Sequence, residues 1–210
     1  SSSLDLQAMT VTGQTLGQEL SNIDIPDWPQ DIIRPSKQPI YKEGGLAVLY
    51  GTLAPQGAII KQAASSQHLL SHTGRAVVFA NMADLAARID SPDLDVSQDD
   101  ILVLRQIGPK GAPGMPEAGL IPIPKKLAKQ GVKDMVRISD GRMSGTAAGT
   151  IILHVAPESA VGGPLSLVRT GDQIQLDVAA RQLRMLVSDK ELDRRKAEKP
   201  AASPAERRGY

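Results

Sequence analysis

The chain has 210 residues, 24 Lys and Arg against 23 Asp and Glu, 41% hydrophobic residues, five aromatic residues and no Cys. The balanced charge leaves no electrostatic footprint for nucleic acid or an anionic membrane, and so few rings argue against stacking platforms for bases or sugars. The missing cysteine excludes disulfides, a thiol nucleophile and a thiolate metal site in this chain. No apolar run reaches spanning length and no basic-then-apolar leader opens the chain, so a soluble cytoplasmic domain is the expectation.

Nineteen Gly and fifteen Pro favour short strands and turns over a helical bundle, around a core of Val, Ile, Leu and Ala. Residues 1–39 read as a linker and N-terminal extension: a short strand or turn, a helical piece over 15–20, then an irregular connector in which Trp28 is expected to pack into a groove. The apolar runs 45–50 and 58–61 flank the turn Ala54-Pro55-Gln56-Gly57 and predict a hairpin or corner. Residues 74–79 form the next strand. Apolar residues at 82, 85, 86 and 89 then put one helix face over 81–89.

An acidic loop over 91–100 precedes a fully apolar strand at 101–105. The stretch Gly108-Pro-Lys-Gly-Ala-Pro-Gly-Met-Pro-Glu117 holds three prolines and three glycines, which forbid helix or ladder; it is a rigid loop, functional or simply a crossover. A helix over 122–130 carries a basic face and a C-terminal Gly131. Strands are predicted at 134–138, 151–155, 165–168, 174–178 and 184–187, followed by a charged helix from 188 and a flexible tail over 199–210. Many strands and few helices point to an α/β, mostly β, barrel or sandwich with peripheral helices.

The richest stretch is 138–150, Ile-Ser-Asp-Gly-Arg-Met-Ser-Gly-Thr-Ala-Ala-Gly-Thr, between two strand candidates. Gly141, Gly145 and Gly149 recur every four residues. If 144–149 is helical, they line one face, and free amides at Ser144 would receive an anion. The alternative is a Gly-rich turn with a capping serine. Neither nucleotide-binding fingerprint is met.

Three histidines are present. His68 and His72 have two-ligand helical spacing without a third ligand nearby, so a local polar role is the simpler reading. His154, among Ile151, Leu153 and Val155, reads as a half-buried, satisfied histidine. Ser144, His154 and Asp140 could form a hydrolytic triad, although no Gly-x-Ser-x-Gly is present. Glu117 follows Pro116 in a stiff loop, the way a hard-metal ligand is best held, yet one carboxylate is not a site.

Several long motifs, in order, resemble those of one family. They are 42–61 (Lys-Glu-Gly-Gly-Leu-Ala-Val-Leu-Tyr-Gly-Thr-Leu-Ala-Pro-Gln-Gly-Ala-Ile-Ile-Lys), Gly108 to Glu117, Ser139 to Thr146, His154-Val-Ala-Pro-Glu158 and Gly162-Gly-Pro-Leu165. The family is that of dihydroxy-acid, phosphogluconate and sugar-acid (pentonate) dehydratases, and the resemblance covers its C-terminal domain. It implies a β-barrel-like domain of the swivelling β/β/α type over 40–198, with a truncated tail at 199–210. The fragment would be inactive without the N-terminal domain that carries the iron–sulfur cysteines and most magnesium ligands.

The resemblance places Glu117 at a magnesium ligand, Ser144 at the base that takes the C2 proton, and Thr146 at a threonine assisting it. It implies loss of water from a 2,3-dihydroxy acid, magnesium holding the carboxylate end and the cluster acting on the C3 hydroxyl, to give a 2-keto-3-deoxy acid. A nearby cation and helix amides are what could stabilise a serine alkoxide. Arg142 is a candidate carboxylate clamp or a loop anchor. The stretch Ser144-Gly-Thr-Ala and the Pro122-Ile-Pro-Lys-Lys that follows Glu117 favour the pentonate branch, closest to L-arabinonate-type dehydratases, over the branched-chain amino-acid branch. The expected partners are the enzyme's own N-terminal domain, a sugar-acid substrate and further copies in a homo-oligomer. A binding or assembly module without chemistry is the competing class.

Overall fold

The computed structural model describes residues 4–24, 30–112, 121–142 and 148–198. The chain divides into two compact units, Ser1–Lys42 and Glu43–Tyr210. The expectations for Trp28, for the tail over 199–210 and for most of the possible helix at 144–149 lie outside the described residues.

Among the described residues the first unit holds one short helix, α1 (Leu16–Ser21). Thr15 caps it: its hydroxyl accepts from the Gln18 N–H, and the Gln18 side chain accepts from the Thr15 N–H, so two otherwise unpaired donors are satisfied reciprocally.

The second unit is a curved sheet of eight strands: β1 (Ala47–Leu49), β2 (Gly57–Ile60), β3 (Ser71–Phe79), β4 (Ile101–Leu104), β5 (Arg137–Ser139), β6 (Ile151–Ala156), β7 (Gln173–Asp177) and β8 (Gln182–Met185). Their order is β1-β2-β6-β5-β4-β3-β7-β8. The central four, β3 to β6, pair in parallel, and antiparallel ribbons flank them on both sides. The two outer strands then meet. Tyr50, just past β1, bridges Gln182 of β8, its N–H donating to Arg181 O and its carbonyl accepting from Leu183 N, both at 2.9 Å. The mostly-β, barrel-like fold read from the sequence holds.

Two apolar layers follow from this closure. Leu49, Ile60, Ala76, Ile101, Val103, Ile138, Ile152, Ile174 and Leu183 fill the barrel. Val77, Phe79, Leu102, Leu104 and Met135 turn outward, beneath α2 (Met82–Arg88) and α3 (Lys125–Lys129), where Leu85, Ile89, Ile121 and Leu127 cover them. Strand β4 is apolar throughout because both its faces are buried, as expected of a strand paired in parallel on both sides. Asn81 caps α2 by accepting from Asp84 N at 2.9 Å, and Arg88 lies 5.1 Å from the centroid of the Phe79 ring. Helix α4 (Asp189–Glu198) carries the expected charges.

One strand expectation is overturned. Residues 165–167 belong to a 3-10 turn, Pro164–Leu167, which Val168 ends. Pro164 fixes φ and lacks an N–H, so the run behind it tightens into a turn that buries Leu165 and Leu167 without joining a ladder. The strand expected at 134–138 pairs only from Arg137 onward, because Asp134 and Met135 are held by the side-chain network described below.

Candidate active site

Parallel pairing of β4, β5 and β6 brings their C-terminal ends to one rim, and the motifs that begin at Gly108, Ser139 and His154 adjoin that rim. A cleft of about 430 Å3 opens there, lined by Gln56, Lys110, Asp140, His154, Pro157 and Glu158 among others. Ligand sites in sheets of this kind form outside the carboxyl ends of the strands.

Asp140, the first residue past β5, is buried. One carboxylate oxygen accepts from Ile107 N (2.9 Å); the other accepts from Ser159 N (2.8 Å) and Ser159 Oγ (2.5 Å). Ser159 Oγ accepts in turn from Gln106 N at 2.8 Å. The carboxylate thus ties the chain leaving β4 to the chain leaving β5 and to the turn after β6. That is scaffolding, and it occupies the acid of the hypothetical hydrolytic triad.

Glu158 makes a second tie. Its oxygens lie 2.9 and 3.2 Å from Lys110 N, which donates to them. A Cβ on Gly108 would stand 1.9 Å from Glu158 Oε2, so only glycine lets the carboxylate reach this seat. Burial pushes Glu158 above the usual carboxylate range, and the charge of Asp140 adds to the rise against the opposing Lys110 bond.

His154 sits on a bulge. Between the pairs Gly57↔Ala156 and Ile59↔Leu153, β6 runs one residue longer than β2, and His154 takes a left-handed φ of 54°. Its N–H donates to Gly141 O at 2.9 Å. Burial lowers its pKa, which keeps the imidazole neutral at pH 7. Gln106, on the facing loop, is also left-handed at φ 59°. Non-glycine residues in this region cluster at functional sites.

The chain re-enters the barrel at its opposite rim, where a second buried network waits. Asp134 accepts from Thr150 N (2.9 and 3.0 Å), Thr150 Oγ1 (2.7 Å), Ser66 N (3.1 Å) and Met135 N (2.9 Å). Burial alone would raise its pKa, but the bonds from Thr150 and Ser66 prevail and hold it below the ordinary value. Arg137, at the start of β5, pairs with Asp134 at 2.9 Å and donates to the carbonyls of Met135 (3.2 Å), Ile121 (3.0 Å) and Ala148 (3.3 Å). Burial lowers its pKa, from so high a starting point that it remains a cation.

Of the residues singled out in the sequence, Glu117, Ser144 and Thr146 lie outside the described residues. Arg142 is exposed, two positions past Asp140. His72 lies on strand β3 with Nε2 2.8 Å from Asp99 O, whereas His68 stands on a 3-10 turn, so the pair does not share a helix. Gly149, read as part of a small-residue helix face, has φ 98°, and a Cβ there would lie 2.0 Å from Arg137 Nη2. Asp134, Arg137 and Ser159 carry the scaffold and were missed; the available signal was two charges closing in on an otherwise apolar strand.

Among the described residues no group of three or more His, Cys, Asp or Glu side chains could hold a metal ion. Asp140, Glu158 and Asp134 already accept backbone N–H groups. The described side chains therefore do not fit a magnesium site on their own, and a chain without cysteine offers no thiolate to an iron–sulfur cluster. No described helix is long and apolar enough to cross a membrane.

A family model described as Dihydroxy-acid/6-phosphogluconate dehydratase C-terminal matches residues 31–210. The chain is 50% identical over 195 residues to an L-arabinonate dehydratase of Rhizobium leguminosarum bv. trifolii, covering 93% of this chain and 33% of the relative. It is 52% identical over 197 residues to a 6-deoxy-6-sulfo-D-gluconate dehydratase of Pseudomonas putida, covering 92% and 34%. Against a dihydroxy-acid dehydratase of Syntrophobacter fumaroxidans the identity is 42% over 203 residues, covering 97% and 36%. The chain spans about a third of the length of these relatives.

Proposed function

The chain belongs to the dihydroxy-acid/6-phosphogluconate dehydratase family, and on that footing we propose that it is the C-terminal domain of a hydro-lyase that dehydrates a sugar acid of the pentonate class. The substrate is a 2,3-dihydroxy acid. Ser144 Oγ, as its alkoxide, takes the proton from C2; the C2–H pair forms the C2=C3 bond as the C3–O bond breaks, the departing hydroxide takes up a proton to leave as water, and the enol that remains tautomerises to the 2-keto-3-deoxy acid. Thr146 assists the serine, and Arg142 meets the substrate carboxylate.

The observation that carries this reading is the cleft on the C-terminal rim. The segments bearing Glu117 and Ser144 depart from neighbouring parallel strands beside it, and Asp140 joins their first residues. A serine base needs such a setting: a proton acceptor works only if held within hydrogen-bond reach of the C2 proton. Burial lowers the pKa of His154 and raises that of Glu158, so each favours its uncharged form more than it would in water.

Glu117 would give one oxygen to magnesium, which would fix the acid end of the substrate; the remaining ligands, and those of the iron–sulfur cluster, would come from an N-terminal domain. Sugar-acid relatives at 50% and 52% identity, against 42% for the dihydroxy-acid relative, favour a sugar acid.

In the complete enzyme, Ser144→Ala should abolish turnover while the cluster's absorption spectrum and the melting midpoint persist. Retained turnover would remove the serine from its role. A panel of pentonates, hexonates and 2,3-dihydroxyisovalerate assays the substrate; turnover confined to the last would overturn the sugar-acid reading in favour of branched-chain amino-acid synthesis.

A further inference from the structure

Arg137 is the buried cation that the proposed chemistry does not use. It lies on the outward face of β5, 7% exposed, with Ile138 beside it pointing into the barrel. Its guanidinium reaches two places far apart in sequence. One arm donates to Ile121 O, where the chain returns after the segment that begins at Gly108. The other donates to Asp134 and to Ala148 O, where the chain returns after the segment that begins at Asp140. Asp134 completes the second landing through Thr150, and Gly149 N donates to Ala64 O at 2.9 Å.

Asp140 joins the departures of these two crossovers on one rim; Arg137 joins their arrivals on the other. We propose that Arg137, held by Asp134, is a positioning residue for the site: one planar guanidinium registers the two crossovers to each other where they land, at Ile121 and Ala148. Lysine cannot replace it, because a single ammonium on a flexible stem cannot serve both landings with fixed geometry. Gly149 is required for the same reason, since any Cβ there would displace the guanidinium.

The inference rests on the dehydratase reading for its catalytic consequence but not for its structural one, and the test separates the two. The complete enzyme is prepared as wild type, Arg137→Lys, Thr150→Val and Arg75→Lys. Arg75 pairs with Asp95 and Asp100 elsewhere on the barrel, so its variant controls for lost stability alone. Hydrogen exchange is followed in peptides covering 121–129 and 148–153, and kcat and KM are measured on the best sugar-acid substrate.

Arg137→Lys should speed exchange in both peptides together, by about tenfold or more. It should lower kcat by about 100-fold with KM little changed, because a misplacement on the ångström scale costs that much when substrate contacts survive. Thr150→Val should speed exchange only in the second peptide, and Arg75→Lys should leave kcat unchanged. Exchange that rises at only one landing overturns the coupling, and a kcat loss no larger than that of Arg75→Lys overturns the positioning role. If Arg137→Lys does not fold, Gly149→Ala, which pushes on the same guanidinium, is read by the same criteria. If no variant, wild type included, dehydrates a sugar acid, the functional reading fails while the exchange data still decide the coupling.

Discussion

Two clusters of charge on this barrel look alike as lists of ion pairs and behave differently as structures. On α4, Arg195 pairs with Asp172 and Glu191, and Arg194 with Glu191 and Glu198, side chain to side chain. Two bonds from this set reach backbone, Arg195 Nη1 to Leu167 O at 2.9 Å and Arg169 N to Asp172 at 2.7 Å. Around β5 the proportion reverses. Asp134 accepts from the N–H groups of Ser66, Met135 and Thr150, and Arg137 donates to three carbonyls. The first cluster fastens a helix to a finished barrel. The second satisfies backbone groups that have no ladder, and so determines where the irregular chain can go.

Removing one member of each cluster should separate them clearly. Arg137→Met leaves Asp134 buried without its counter-charge and strands three carbonyls; the expected loss is about 3–5 kcal/mol in urea unfolding. Gly149→Ala forces a left-handed φ on a Cβ that meets Arg137, for about 2–3 kcal/mol. Arg195→Ala should lower the melting midpoint by roughly 4–8 °C, about 2 kcal/mol, with loss of helical signal as α4 frays. Arg194→Ala, on the solvent side of the same helix, should leave the midpoint unchanged and insensitive to salt. A loss for Arg194→Ala as large as that for Arg137→Met would erase the distinction.

Acid sharpens it further. Asp134 and Asp172 both titrate below the ordinary carboxylate value in the fold: burial pushes each up, but Thr150 and Ser66 in one case and Arg195 in the other bring it down. The stability they contribute is therefore complete above the unfolded value, about pH 4, and disappears as pH falls through the lower folded values. Glu158 has the opposite sign. Its raised pKa means that the fold binds its proton more tightly than the unfolded chain does, so it gains stability as pH falls through its folded value. Glu158→Gln should thus show its largest relative stabilisation at neutral pH and lose it on acidification, as read from melts across pH 4–8.

The same contrast explains what could be read from the sequence. Apolar runs announced β1 to β4, β6 and β7, because burial on one or both faces writes itself into consecutive residues. The spacing from Glu191 to Arg195 is four, so the α4 cluster was visible as a charged helix. Arg137 and Ile121 are 16 apart, Asp134 and Thr150 are 16 apart, and Ser66 and Asp134 are 68 apart. No local pattern encodes such partners. Gly149 was noticed for its place in a four-residue rhythm, whereas the fold requires it for a backbone angle and for the guanidinium beside it. The run at 165–168 failed for the reverse reason: its composition is that of a strand, but Pro164 decides its geometry.

The seam at Tyr50 has a consequence for how the molecule behaves in a crowded solution. Strand β1 and the residues beside it show Leu46, Val48 and Tyr50 to solvent, an apolar row with no lysine among them to discourage docking. On an open sheet such a row beside unpaired amides would invite another chain to add itself as the next strand. Bonding of Tyr50 to Arg181 and Leu183 occupies the amide and the carbonyl at one end of that margin. Self-assembly is thus restrained by topology where many proteins rely on surface charge, and a variant that unzips this one join should be the first to form fibrils or precipitate.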